Sequence, residues 1–404
     1  MNVVLKSRLR KAWYLLRGRL RPRVLRADRL VVGKARWLND AASPVVLMID
    51  DLTNAWHSPR GGQWTRGGDW GGGLRQAGSV VSELESGLFR DFPEIHATYF
   101  TVAGPISPYT HHQPFSYARP LDADDASREF FRSIADDPRF ELAYHGLNHG
   151  TPGDSSDRFL QEWRGFGSVD AAVEQTRRGL DIFVRAIGRA PQGGKYGGYA
   201  SNEHSEAALA ANGFRWWCRD WTPRDVSGTV ADEFYEPQFF ADGRVIAMPT
   251  TVHGFFWDTR QIDRLVQKGQ VIGIAEHIAP VRPDGRTQTP NIIDDMLEVR
   301  GLYRYLRGKD VWHANGSDIA AYFEARERTT VHDVDAHGFS LRYAGNAPTP
   351  RLTLKLDATV TNAPDVDVVC PDGRVVRTTR GRDGRQLVNL SVIDGRYQVR
   401  PGGA

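Results

Sequence analysis

The stretch ASPVVLMIDD, Ala42–Asp51, decides the fold. Val45 to Ile49 is an unbroken apolar run, entered from Pro44 and closed by two acids. A strand apolar on both faces belongs in a sheet covered on both sides, as parallel sheets are. Working outward, IHATYFTVAG (Ile95–Gly104) and FELAYHG (Phe140–Gly146) read as two more strands, rich in β-branched and aromatic residues. Between the first two, Gly61 to Gly73 holds seven glycines with Trp64 and Trp70, and is expected to be an irregular loop.

The alternation continues. Ser168 can cap a helix whose Val173, Leu180, Phe183, Val184 and Ile187 share a face before Gly188. A Gly-rich turn, QGGKYGGYASN, leads into a helix over Glu203–Ala211 and a strand in FRWWCRDW. RVIAMPTTV (Arg244–Val252) and QVIGIAEHI (Gln270–Ile278) are further strands, separated by a polar helix near 260–268. NIIDDMLEVRGLYRYLRG is a helix, and Asp318–Arg326 another. Strands alternating with helices imply an α/β fold with a mainly parallel sheet or barrel. Near residue 330 the pattern changes. Leu352, Leu354 and Leu356 alternate with polar residues, and Asp-Gly turns precede short β stretches. The expected division is a basic segment over 1–30, an α/β domain over 40–328 and a small antiparallel β module over 330–404.

Composition describes a globular chain of 404 residues, 40% hydrophobic and 25% charged. Of its 52 basic residues ten lie in the first 29, beside one acid, Asp28, so the remainder is mildly acidic. That gives the globular body no basic character suited to nucleic acid. Leu5, Leu9, Trp13, Leu16 and Leu20 fall on one face of a helix that Pro22 ends. A basic amphipathic helix over residues 1–22 reads either as a peripheral membrane contact or as a solvated docking helix. With no proper signal peptide in the tail, the expected place is the cytoplasm, peripheral to the inner face of the membrane. Cys218 and Cys370 are the only cysteines, so a disulfide framework or cysteine-rich zinc site is excluded.

Chemistry-bearing residues gather where the strands end. The first strand ends in Asp50–Asp51, and the third in His145, followed by His149. Taken alone, two histidines four apart are weak: twelve His in 404 residues give about a third of such a pair by chance. The Gly-rich turn supplies Lys195 and Tyr196, FRWWCRDW ends in Asp220–Trp221, and His277 closes QVIGIAEHI. In a (β/α) barrel these ends share one face. Two imidazoles and a carboxylate can hold a divalent ion with open positions, a second carboxylate can take a proton from water, and another histidine can protonate a leaving amine. His253 could reach the same rim. Trp64, Trp70 and Trp221 are candidates for stacking on sugar rings. His111–His112 read as exposed loop residues, and Glu276 should face away from His277.

The order of these motifs resembles the polysaccharide deacetylase family, the NodB-homology or carbohydrate esterase family 4 proteins, over Val45–Ile278. The resemblance implies a distorted (β/α) barrel of the NodB-homology type. In MIDD it makes Asp50 the catalytic base and Asp51 a metal ligand. HGLNH matches the family's His-(Ser/Thr)-x-x-His, with His145 and His149 as ligands and Gly146 in the Ser/Thr place. Lys195 stands where the family has an Arg that orients the base. Asp220–Trp221 match an Asp-Trp motif, and Ile274–His277 makes His277 the general acid. The implied cofactor is a divalent ion, zinc before others. The implied reaction removes N-acetyl groups from an acetamido sugar in a polysaccharide or lipid-linked glycan. Two rivals stand beside it: a non-catalytic carbohydrate-binding protein on the same fold, and a metal-dependent amidase for a non-sugar substrate.

Overall fold

A computed structural model describes residues 30–54, 56–57, 64–65, 79–112, 118–219, 235–278, 288–357 and 365–402. The basic segment 1–22, Trp70, Asp220 and Trp221 lie outside the described residues, as does the side chain of Trp64. The chain divides into two compact units. One is Ala41–Ala320; the other joins the residues up to Asp40 with Ala321–Ala404.

The larger unit alternates strand and helix: β1 (Ser43–Leu52), α1 (Val80–Leu84), β2 (Ala97–Val102), α2 (Asp125–Ala135), β3 (Phe140–Gly146), α3 (Val169–Ile187), β4 (Gly193–Lys195), α4 (Glu203–Ala211), β5 (Trp216–Cys218), β6 (Val245–Ala247), β7 (Val252–His253), α5 (Thr259–Lys268), β8 (Ile272–His277), α6 (Met296–Leu306) and β9 (Val311–His313). A further helix, Gly316–Arg328, runs across the division between the units. The strands β6, β5, β4, β3, β2, β1, β8 and β7 pair in that order, all parallel. One continuous run, Val245–His253, therefore serves both ends of this set of parallel strands. Its first half lies beside β5, where Met248 N–H donates to Trp217 O. Its second half lies beside β8, where Thr251 N–H donates to Gly273 O. This run bends the sheet into a distorted (β/α) barrel.

Side-chain alternation sorts the strand residues. Val45, Leu47 and Ile49 of β1, Leu142 and Tyr144 of β3, Trp217 of β5 and Ile272 and Ile274 of β8 belong to one large core with the surrounding helices. Their neighbours Val46, Met48 and Asp50, Ala143 and His145, Cys218, and Ala275 and His277 take the opposite face, toward the barrel interior. Helix ends follow their caps. Ser168 accepts from Ala171 N–H at the start of α3, and Gly188 ends it at φ 89°, which glycine adopts without a Cβ penalty. Near Gly61–Gly73 the structure departs from the expected irregular loop: Trp64–Thr65 pairs antiparallel with Trp56–His57. Helices α1 and α2 are additional to those read from the sequence.

The smaller unit carries two antiparallel sheets. Four strands pair in the order Val31–Lys34, Arg351–Leu356, Gln386–Ser391, Thr379–Arg380. Five pair in the order Thr329–Asp335, Gly338–Tyr343, Gly395–Pro401, Val366–Val369, Val375–Arg377. Leu352, Leu354 and Leu356 are buried, as their alternation requires. Among the described residues no helix is long and apolar enough to cross a membrane.

Candidate metal and catalytic centre

Asp50 and His277 are register partners on β1 and β8, so alternation delivers both to the same interior face at the C-terminal end of the barrel. His277 Nε2 lies 3.6 Å from Asp50 Oδ2. The other ring nitrogen, Nδ1, is 2.8 Å from the Pro290 carbonyl; as the donor it fixes the ring and turns Nε2 toward the site.

Regular alternation would send Asp51 to the opposite face. It does not, because the pairing of β1 with β2 slips between Ile49 and Leu52, and Asp51 takes φ 68°. A bulge of this kind re-aims one side chain, so two consecutive acids enter one site. The pairing of β2 with β3 slips between Thr101 and Val102, opposite the end of β3 that carries His145. Gly146 follows at φ 127°, and His149 sits at φ 66° before Gly150 at φ 158°.

These bends bring three ligand atoms together. Asp51 Oδ1 is 3.4 Å from His145 Nε2 and 3.3 Å from His149 Nε2. One atom from each of the three residues lies within 4.8 Å of the other two. Ligands held about 2.0–2.1 Å from a tetrahedral zinc ion stand roughly 3.3 Å apart, so the donor set fits such an ion. His145 Nδ1 is 3.0 Å from the Lys195 carbonyl, a bond that commits its Nε2 lone pair to the centre. Burial alone would raise the Asp51 pKa, but the adjacent His145 and His149 imidazoles hold it well below the usual carboxylate range. Burial opposes a charge on His149, while Asp51 more than offsets it and raises the pKa. Gly197 leaves room here, since a Cβ on it would come 3.2 Å from His149 Nε2.

Lys195 ends β4 and is almost wholly buried. Its Nζ is 2.5 Å from Asp50 Oδ2 and 5.3 and 4.3 Å from the ring centroids of Phe100 and Tyr199. Burial works against its charge, but Asp50 outweighs burial and raises its pKa. Lys195 thus faces Asp50 as a point charge between two aromatic faces, where a forked guanidinium would need more room. Tyr199 Oη donates to Thr250 Oγ1 at 3.2 Å.

The remaining expectations divide. Tyr196, expected among the substrate-orienting residues, is fully buried in the core, with ring centroids 5.3 Å from those of both Trp163 and Trp217. It is one step along the chain from Lys195 and therefore on the other face. His253 lies at the rim; burial, helped by Lys195 and His277, lowers its pKa to about 4. His111 and His112 are exposed. Glu276 faces outward, fully buried, and its pKa is pushed up to about 9 by burial and by Asp295. Asp295 is half-buried beside it.

One acid in this region has no local sequence signal. Glu162 is buried, and both its carboxylate oxygens accept hydrogen bonds from the His145–His149 turn. In sequence it is one of 49 acids, in a polar stretch, QEWRG.

No family model and no curated protein matches the chain. Solved structures do. A "putative polysaccharide deacetylase" from Mycobacterium smegmatis is 17% identical at a TM-score of 0.45, covering 72% of this chain and 93% of its own. The Puue allantoinase is 14% identical at 0.45, covering 71% and 92%. A "probable polysaccharide deacetylase" from Pseudomonas aeruginosa PAO1 is 15% identical at 0.44, covering 71% and 93%. The chain resembles the polysaccharide deacetylase family in its distorted barrel.

Proposed function

We propose that the chain is a metal-dependent hydrolase that removes N-acetyl groups from an acetamido sugar of a glycan. The convergence of Asp51, His145 and His149 within 4.8 Å, beside Asp50 and His277, supports this reading. A divalent ion bound by those three would polarise an amide carbonyl and lower the pKa of water. Zinc suits the two imidazoles and one carboxylate. The chain's own groups do the rest. The Asp50 carboxylate, held by Lys195, takes the proton of the attacking water. His277, fixed through Nδ1, delivers a proton from Nε2 to the departing amine. The products are acetate and an amino sugar.

Zinc content of the purified protein, followed by acetate release from N-acetylated oligosaccharides, tests this. Zinc uptake with release of acetate supports it. Zinc uptake with glycan binding but no acetate favours the binding protein, and hydrolysis confined to non-sugar amides favours the amidase. Absence of both zinc and acetate ends the enzymatic reading. The basic segment 1–22 adds a proposed contact with the anionic inner face of the membrane. Co-sedimentation with anionic vesicles, lost when residues 1–29 are removed, would support that contact; equal sedimentation of both forms would exclude it.

A further inference from the structure

We infer that Glu162 is a positioning residue for the metal centre: its carboxylate holds the His145–His149 turn in the shape that binds the ion, in place of the Ser or Thr that the deacetylase pattern has at position 146. The inference rests on the metal-centre reading proposed above.

Glu162 Oε1 accepts from Leu147 N–H at 3.0 Å and from Gln175 Nε2 at 2.9 Å. Its Oε2 accepts from Asn148 N–H and His149 N–H, both at 3.0 Å. The Glu162 N–H in turn donates to the His149 carbonyl at 3.2 Å. Three successive amides between the two histidines therefore end on one buried side chain. All four groups facing the carboxylate are donors. Only an ionised carboxylate, which accepts on both oxygens, satisfies them all.

Gly146 belongs to the same arrangement. A Cβ built on it would clash with Glu162 Oε2, and its φ of 127° disfavours any side chain. A Ser or Thr at 146 and a carboxylate at this position exclude each other sterically. The departure at Gly146 is thus the space that Glu162 occupies.

The turn needs such an anchor. His149 is held at φ 66°, where a non-glycine residue is strained unless its surroundings hold it. Released, its imidazole would have to find Asp51 and His145 at the moment of ion binding. Groups that orient metal ligands typically change metal affinity by about 10–100-fold when removed.

Glu162→Gln is isosteric but has one acceptor oxygen, so its NH₂ would face donors. Two measurements on the full chain decide the matter: hydrogen exchange at the Leu147, Asn148 and His149 amides, and calorimetric titration with zinc. Melting of the metal-free proteins shows that the variant is folded. Glu162→Asp, which keeps the charge but shortens the reach, replaces it if Glu162→Gln does not fold. The expected result is exchange at least about 10-fold faster at those three amides and zinc affinity weaker by about 10–100-fold. Unchanged exchange overturns the anchor. Faster exchange with zinc affinity within about twofold of the parent overturns the positioning role, since a purely structural residue would behave so. A parent protein that takes up no zinc overturns the metal-centre reading and the positioning role with it; the exchange data then show whether Glu162 still holds the turn.

Discussion

Lys195 Nζ stands 2.5 Å from Asp50 Oδ2, with both side chains almost wholly buried. Neither charge has a screened environment, so each depends on the other. Lys195→Met leaves an uncompensated carboxylate inside the barrel and is expected to cost about 3–5 kcal/mol of stability, read from urea denaturation. The double variant Lys195→Met/Asp50→Asn should recover much of that loss, because it removes both charges. Strict additivity of the two single changes would show that the pair is not energetically coupled.

The two adjacent acids have separable tasks under the proposed mechanism. Asp50→Asn is expected to keep zinc and lose acetate release, and His277→Ala to do the same with a loss on the order of 10²–10⁴-fold in kcat. Zinc content and turnover are measured on the same preparation. Loss of zinc from Asp50→Asn would exchange the roles assigned to Asp50 and Asp51.

Zinc should stabilise the folded chain by mass action. At free zinc about 100-fold above its Kd, the gain is roughly 2.7 kcal/mol, seen as a higher Tm that a chelator reverses. Asp51→Ala or His149→Ala should melt at the same temperature with and without zinc. A zinc-dependent shift that survives Asp51→Ala would place the ion elsewhere.

Glu276 and Asp295 predict a pH dependence of stability. Burial raises both pKa values, that of Glu276 to about 9. Between about pH 4.5 and 9 the folded chain therefore holds a proton on Glu276 that the unfolded chain releases, and the raised pKa of Asp295 acts in the same direction. This contribution to stability is full at acid pH and is lost as pH rises toward 9, by at most about 1.4 kcal/mol per pH unit for each proton. Glu276→Gln, which cannot ionise, should flatten urea midpoints measured from pH 5 to 8.5 and be favoured most at the alkaline end. An unchanged slope would mean that Glu276 does not hold the proton.

The apolar run Val45–Ile49 and the strand and helix signals after it are enough to read an α/β fold with a mainly parallel sheet or barrel; the choice of a distorted barrel comes from the family resemblance. Those signals are enough because a strand buried on both faces and an amphipathic helix are each written in consecutive residues. The ends of α3, at Ser168 and Gly188, are legible for the same reason. The run Arg244–Val252 reads as one strand, but it forms two short ones, β6 and β7, because it has two partners. No property of the run itself reveals that.

The sequence by itself determined which residue types stand at the strand ends: Asp50, Asp51, His145, His149, Lys195 and His277. Tertiary structure decided which of them meet. A regular strand would have turned Asp51 away from Asp50; the slip against β2 brings both into the site. The same alternation, left undisturbed at β4, keeps Lys195 in the site and sends Tyr196 into the core. Glu162 shows the limit most clearly. Its place under the His145–His149 turn comes from a chain reversal that pairs Gly150 with Gln161. Spacing in a sequence records neighbours along the chain, whereas a carboxylate that collects three amides of another segment is defined only by contact in space.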